Sequence, residues 1–364
     1  MKLFYILPEY DPQTSTHFRY NVELLEEVAQ KMQVTLFIEK GVKPKVKNIQ
    51  NVIVGRAKFL PLRILERKLI FLKARLSGHK VFYSHYGYLS ALIAGILCRF
   101  TGGKLYFWHC EYRGNYEKKD CLLCNLPEKL TKNWPFRWVL KLSHHLVTCT
   151  DKMKQYYNQT FGVPLSKIKV MSNWVDTENL SQFSKEKKAA KPTILFVHWL
   201  SPRKGTRILP ELLEAVVKKN PEVKLVVAGE GPDLDWLNKE WKARGLEKNV
   251  EMLGAVPNEK VFSLYGKAHV FLHPSREEEF GRVLIEAMAI GTPIVATHTD
   301  GAQSILNPRQ KQWLFDYKNP KKGADLVLRL LASKKEQEEL KKTGLEHVKK
   351  FSKAEATRSF LGLF

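Results

Sequence analysis

The sequence predicts an α/β protein made of two doubly wound units, each built on a parallel sheet. Short β-rich runs alternate with helical patterns along the chain, as in LFYIL, the amphipathic stretch 22–32 and VTLFIE, and such alternation implies βαβ units. A length of 364 residues exceeds one hydrophobic core and suits two. Between Leu180 and Thr193 the stretch SQFSKEKKAAKP has almost no apolar content, is rich in lysine and ends in Pro192 just before a strong strand, so it reads as a linker. The first half is therefore expected over residues 1–183 and the second over 192–345, with 346–364 a C-terminal helix.

The elements follow in order. LFYIL, following Met1 almost at once and closed by Pro8, reads as a first strand rather than an export signal, which needs a longer apolar run and a small-residue cleavage site. The longest nearly uncharged run, Tyr86 to Cys98, falls short of the roughly 20 residues a spanning helix requires. The second half repeats the pattern: TILFVHW, a helix predicted over 208–219, then KLVVAGEG.

The apolar share of 44% with 27% charged residues is ordinary for a globular chain and excludes disorder. A net charge of +23 favours polyanionic partners without choosing among them. A nucleic-acid reading is disfavoured, since no zinc-finger spacing, RNP-type aromatic strand or helix-turn-helix with a basic second helix is present. Five cysteines, an odd number, argue for a reducing compartment. Cys121 and Cys124 form a CxxC with no second pair at zinc-finger spacing, so a pair of loop thiols is favoured over a zinc site, which stays the alternative.

The stretch VFLHPSREEEFGRVLIEAMAIGTPIVAT, residues 270–297, carries the chemistry. It reads as a strand, a polar loop, a helix from about Gly281 and another strand. Ligands of doubly wound sheets bind beyond the carboxyl ends of the strands, where a helix start offers unpaired N–H groups to phosphate. Phe280, Gly281 and Arg282 would supply those amides, and Glu278 and Glu286 would bracket them with carboxylates able to accept from sugar or ribose hydroxyls.

This stretch resembles the Glu-x7-Glu block of the retaining glycosyltransferases of family 4. Pro274, Ser275, Glu278, Phe280, Gly281, Glu286, Ala287, Met288, Ala289, Gly291 and Pro293 fill its fixed positions. LSPRKG at 200–205 is similar to the family's lysine loop, VVAGEGP at 226–232 to its glycine-rich turn, FWHCE to the strand ending in a functional histidine, and VMSNWVD to its N-G-V-D. The resemblance implies a GT-B fold, two Rossmann-like doubly wound domains facing a cleft, with the C-terminal helix packing back on the N-terminal, acceptor-binding domain. It makes His109, Lys204 and Glu278 catalytic. Arg203, Gly229, Gly254, Val256, Phe280, Gly281, Arg282, Val283 and Glu286 become donor-binding, and Thr16, His17 and Asn173 acceptor-side. No cofactor or metal is implied beyond a nucleotide diphosphate-sugar donor, with UDP- or GDP-sugar favoured. Glu278 would grip the transferred sugar, Glu286 the ribose, and Lys204 would neutralise the diphosphate.

The chain departs from the pattern at four places. His198 and Trp199 stand where relatives carry Gly-Arg, so one phosphate cation is missing, and Arg203 or Arg282 is the expected substitute. PQTSTHF replaces the usual Gly-Gly loop after the first strand, Trp174 replaces the glycine of N-G-V-D, and His269 replaces an acidic residue.

Leu60 to Leu76 interleaves Arg63, Arg67, Lys68, Lys73 and Arg75 with leucines, and two readings stay open: a helix lying in an anionic membrane surface, or a core-packing helix with a solvated basic face. KNWPFRWVLK at 132–141 sets Trp134, Phe136 and Trp138 beside cations, as interfacial anchors do. The expectation is a hexosyl-transferring, metal-independent enzyme, peripheral at the cytoplasmic face of a membrane, with a glycan or lipid-linked acceptor. The alternatives are a family member that has lost catalysis and acts as a scaffold, or, more weakly, a nucleotide-sugar epimerase.

Overall fold

The computed structural model describes residues 1–12, 18–112 and 133–364, with Asn133 and Trp134 described as backbone only. Thr16, His17, Cys121 and Cys124 lie outside the described residues. The chain forms two compact units, Met1–Ser172 with Ala356–Phe364, and Asn173–Glu355.

The first unit holds β1 (Lys2–Leu7), β2 (Gln33–Ile38), β3 (Asn51–Val54), β4 (Val81–His85), β5 (Lys104–Trp108), β6 (His145–Thr148) and β7 (Ile168–Val170). They form one parallel sheet in the order β3-β2-β1-β4-β5-β6-β7. The strands are short, almost wholly apolar runs because both faces are covered. Three helices of this unit matter below: α1 (Phe18–Ala29), α2 (Leu60–Leu76) and α3 (Tyr88–Thr101). Phe4 gathers Phe37, Phe71 and Phe82, so α2 is pinned to the sheet by Phe71. Beside it Arg67, only 1% exposed, reaches Glu39 Oε2 at 2.9 Å, with Ser90 Oγ accepting from its Nε at 2.8 Å. The face of α2 that meets the core is therefore narrow: Arg67, Phe71 and Ala74.

The second unit holds β8 (Thr193–Val197), β9 (Lys224–Ala228), β10 (Val250–Gly254), β11 (Val270–His273), β12 (Ile294–Thr297) and β13 (Leu314–Phe315), all parallel, in the order β10-β9-β8-β11-β12-β13. The order reverses between β8 and β11, the point at which such sheets bind ligands. Phe196, Val227, Leu272, Trp313 and the helices Leu209–Lys219 and Pro320–Ala332 close its core.

Four findings differ from the sequence reading. The lysine-rich stretch expected to link the halves belongs to the second unit: Lys188 Nζ donates to the Ala268 carbonyl at 2.7 Å, the Ala189 N–H to that of Lys267, and Ser263 Oγ to Glu186. A lysine-rich, apolar-poor segment can still be tied down through its backbone and charged tips. Of 346–364, residues Ala356–Phe364 join the first unit, where Phe360 packs on Tyr5 and Tyr83, and the preceding residues stay with the second. Phe136 is fully buried against His109, Phe161 and Tyr157, so it is a core residue and not an interfacial anchor, while Trp138 is 41% exposed. Cys110 and Cys149, which follow neighbouring strands at one level of the sheet, form a disulfide where the odd cysteine count suggested thiols.

Candidate functional site

In the second unit the carboxyl ends of β8, β9, β10 and β11 gather most of the residues predicted to hold a donor. A turn at Pro202–Lys204 follows β8 and carries Arg203 and Lys204. Gly205 follows at φ 84°, and a Cβ there would collide with the Pro274 carbonyl. The lysine turn thus lies against the loop after β11, an approach that only glycine allows. The Arg276 N–H donates to the Arg203 carbonyl at 2.9 Å and ties the same two segments together.

Lys204 Nζ stands 2.6 Å from Glu278 Oε2, with both side chains largely buried. Burial alone would raise the Glu278 carboxyl, but Lys204 foremost, with His273 and Arg203, outweighs it and holds the group below its ordinary value. A buried carboxylate kept ionised is an acceptor of hydroxyl hydrogens, not a proton donor.

Gly281 sits at φ 86° as the residue before the helix Arg282–Ile290, so the chain turns sharply after Phe280 and leaves the first amides of that helix without intrahelical partners. Phe280 is buried, Val283 half-buried, and Gly301 packs directly on the Phe280 backbone, with its N–H donating to the Glu278 carbonyl at 2.8 Å. Glu286 lies inside the helix, 3.3 Å from Arg282 Nε. Burial raises its carboxyl, and Arg282 offsets this only in part. If Glu286 as a carboxylate grips the ribose, donor affinity should fall as pH drops through that raised value. Glu286→Gln should bind more weakly at neutral pH and lose the dependence, which donor titrations across the acid range would read.

Gly229, at φ 150°, abuts the His198 carbonyl and donates to the Gly254 carbonyl at 2.8 Å, so the two predicted backbone contacts adjoin. Val256 is half-buried beyond them. The two candidate substitutes for the missing arginine each hold a neighbouring carboxylate: Arg203 clasps Glu279, and Arg282 pairs with Glu286. Trp199, at the arginine's position, is 61% exposed.

Sequence reasoning missed a histidine pair. His198 Nε2 and His273 Nδ1 are 3.0 Å apart across β8 and β11, where the strand order reverses, and His273 Nε2 lies 4.0 Å from Glu278 Oε2. Burial keeps both rings neutral, bringing His273 down to about 4 and His198 well below its ordinary value. These three side chains form a metal-type donor group within 4.8 Å. One nitrogen of each ring is used in the histidine pair and the carboxylate is taken by Lys204, while His273 Nε2 is buried without a hydrogen-bond partner among the described residues. Thr206 and Arg207 both bond the buried Asp233, which anchors the lysine turn from its far side.

Two further predicted residues belong to other segments. Asn173 is half-buried at the start of the second unit. His109, in the first unit, is fully buried; Tyr88 Oη meets its Nε2 at 2.8 Å and Tyr157 Oη its Nδ1 at 2.6 Å. It orders two tyrosines.

The family described as Glycosyl transferases group 1 matches residues 177–347, and that described as Glycosyltransferase Family 4 matches 18–179. The chain is 27% identical over 171 residues to a glycogen synthase of Mycobacterium tuberculosis, covering 47% of this chain and 41% of that protein. It is 30% identical over 143 residues to the gpi3 subunit of the phosphatidylinositol N-acetylglucosaminyltransferase of Schizosaccharomyces pombe, covering 38% of this chain and 31% of that one. It thus spans well under two thirds of these relatives. Among solved structures, Anabaena Alr3699/HepE in complex with UDP-glucose aligns over 100% of this chain and 99% of its own, with a TM-score of 0.74 and 16% identity. Two family matches that between them cover both units, with a doubly wound sheet in each, place the chain in glycosyltransferase family 4, with GT-B architecture.

Proposed function

We propose that the protein transfers a hexose-type sugar from a nucleotide diphosphate-sugar, UDP- or GDP-linked, to a glycan or lipid-linked acceptor, with retention of configuration and without a metal. The observation that carries this is the buried Lys204–Glu278 pair set beside the turn at Gly281. Glu278 accepts from the hydroxyls of the transferred sugar. Lys204 and the amides of Gly281 and Arg282 take up the negative charge that grows on the diphosphate as its bond to the sugar breaks, and being fixed they do so without reorganising. Glu286 holds the ribose, and the backbone around Gly229, Gly254 and Val256 receives the nucleoside. His109 enters this reading by ordering Tyr88 and Tyr157, and Thr16, His17 and Asn173 on the acceptor side.

The phosphatidylinositol-directed relative supports a lipid-linked acceptor, and the net charge of +23 supports work at an anionic membrane, on its cytoplasmic side. Among the described residues no helix is long and apolar enough to cross a membrane. A binding protein without catalysis is the second reading, favoured by Trp199 in place of a phosphate-binding arginine; donor hydrolysis or transfer in vitro separates the two.

Thermal melts against UDP-, GDP-, ADP- and dTDP-sugars test the donor reading. The right donor at a hundred times its Kd should stabilise by about 2.7 kcal/mol. Flat melts with all four would reject it.

A further inference from the structure

We infer that α2, helped by the end of α3, is the surface by which the protein docks on an anionic lipid bilayer. This deepens the membrane reading above and rests on it, but needs nothing from the transfer chemistry. Leu62, Leu65, Leu69, Leu72 and Leu76 of α2 are 45% to 81% exposed. At 3.6 residues per turn they fall within an arc of about 80°, roughly opposite the buried Arg67, Phe71 and Ala74. On α3, which packs beside α2, Ile96 and Phe100 stand one turn apart, 49% and 84% exposed. A helix that buries a narrow face and shows a leucine stripe to solvent has a second partner to meet.

Charge identifies that partner. Lys68 and Lys73 are exposed and flank the stripe one on each side, about 20° to 40° beyond its edges. Their stems can lie along the apolar band while the ammonium groups reach outward, the arrangement of a helix lying in a lipid headgroup layer. The helix carries one acidic residue, Glu66, and it is engaged within the fold, accepting from the Arg56 N–H at 2.8 Å and from the Ala57 N–H. A second copy of the chain would set Lys68 and Lys73 against their own equivalents, whereas anionic headgroups complement both, and a net charge of +23 strengthens the attraction.

Vesicle sedimentation tests this on the whole protein. Vesicles containing phosphatidylglycerol should pull the wild type down, and pure phosphatidylcholine vesicles should do so far less. The triple variant Leu65→Ser, Leu69→Ser, Leu72→Ser should lose about 100-fold or more in partitioning. These leucines are exposed, so its melting curve and its response to the nucleotide-sugar donor should match the wild type, which separates this claim from the donor reading. Lys68→Glu with Lys73→Glu should weaken binding and flatten its salt dependence. A wild type that stays in the supernatant, or a triple variant that sediments equally well, overturns the proposal. So does light scattering that shows a wild-type dimer which the triple variant dissolves.

Discussion

Lys204→Ala is expected to lower kcat/KM for sugar transfer by about 10²- to 10³-fold, the usual effect of removing one fixed group that stabilises transition-state charge. Two losses combine. On the proposed reading, the diphosphate leaving group loses a cation in a chain that already lacks the family's arginine. Glu278, 2.6 Å away and buried, loses the main interaction that keeps it ionised. Its carboxyl then moves up, so the acid limb of the pH–rate profile should shift to higher pH in the variant. Lys204→Arg, which keeps the charge, should shift the limb less. Steady-state kinetics across pH read both effects, and an alanine variant with wild-type kcat/KM would remove Lys204 from the mechanism.

Arg67→Ala should destabilise the first unit by about 3–5 kcal/mol, because it leaves the largely buried Glu39 with only Arg63, 4.0 Å away and partly exposed, as a cation neighbour. Arg67 also donates to Ser90 Oγ and to the Arg63 carbonyl, so one side chain binds α2 to β2 and α3. The double change Arg67→Met with Glu39→Leu should recover most of the loss, since replacing both partners removes the unpaired charge. Denaturant midpoints of the three proteins would show it; equal midpoints for the single and double variants would contradict the account.

Both sheets were legible in the sequence because strands covered on two faces leave continuous apolar runs that need no distant partner to recognise. The turn of the proposed donor loop was legible for a related reason: Glu278, Gly281 and Glu286 lie within nine residues, and local geometry alone sets them around one turn. What the sequence hid are contacts made by topology. His198 and His273 are 75 residues apart and meet because β8 and β11 are neighbours at the reversal of strand order. The approach of Gly205 to Pro274 has the same origin. Faces were ambiguous too. Phe136, among cations and tryptophans, carries the composition of a membrane anchor yet lies in the core, while the leucines of α2 carry the composition of a core yet face out. Periodicity ranks the sides of a helix without saying which one the rest of the chain will cover.

The contact between Gly205 and Pro274 bears on any attempt to redesign this protein for another sugar. With the Arg203 carbonyl bound by the Arg276 amide as well, the lysine turn and the acidic loop shift together or not at all. Randomising the backbone-setting positions of either segment alone asks half of a rigid body to move. Libraries are better aimed at side chains that leave this body without holding it in place. Trp199 is the foremost of these: its flanking amides are fixed by Ala228 and Glu230, while its indole is open to exchange.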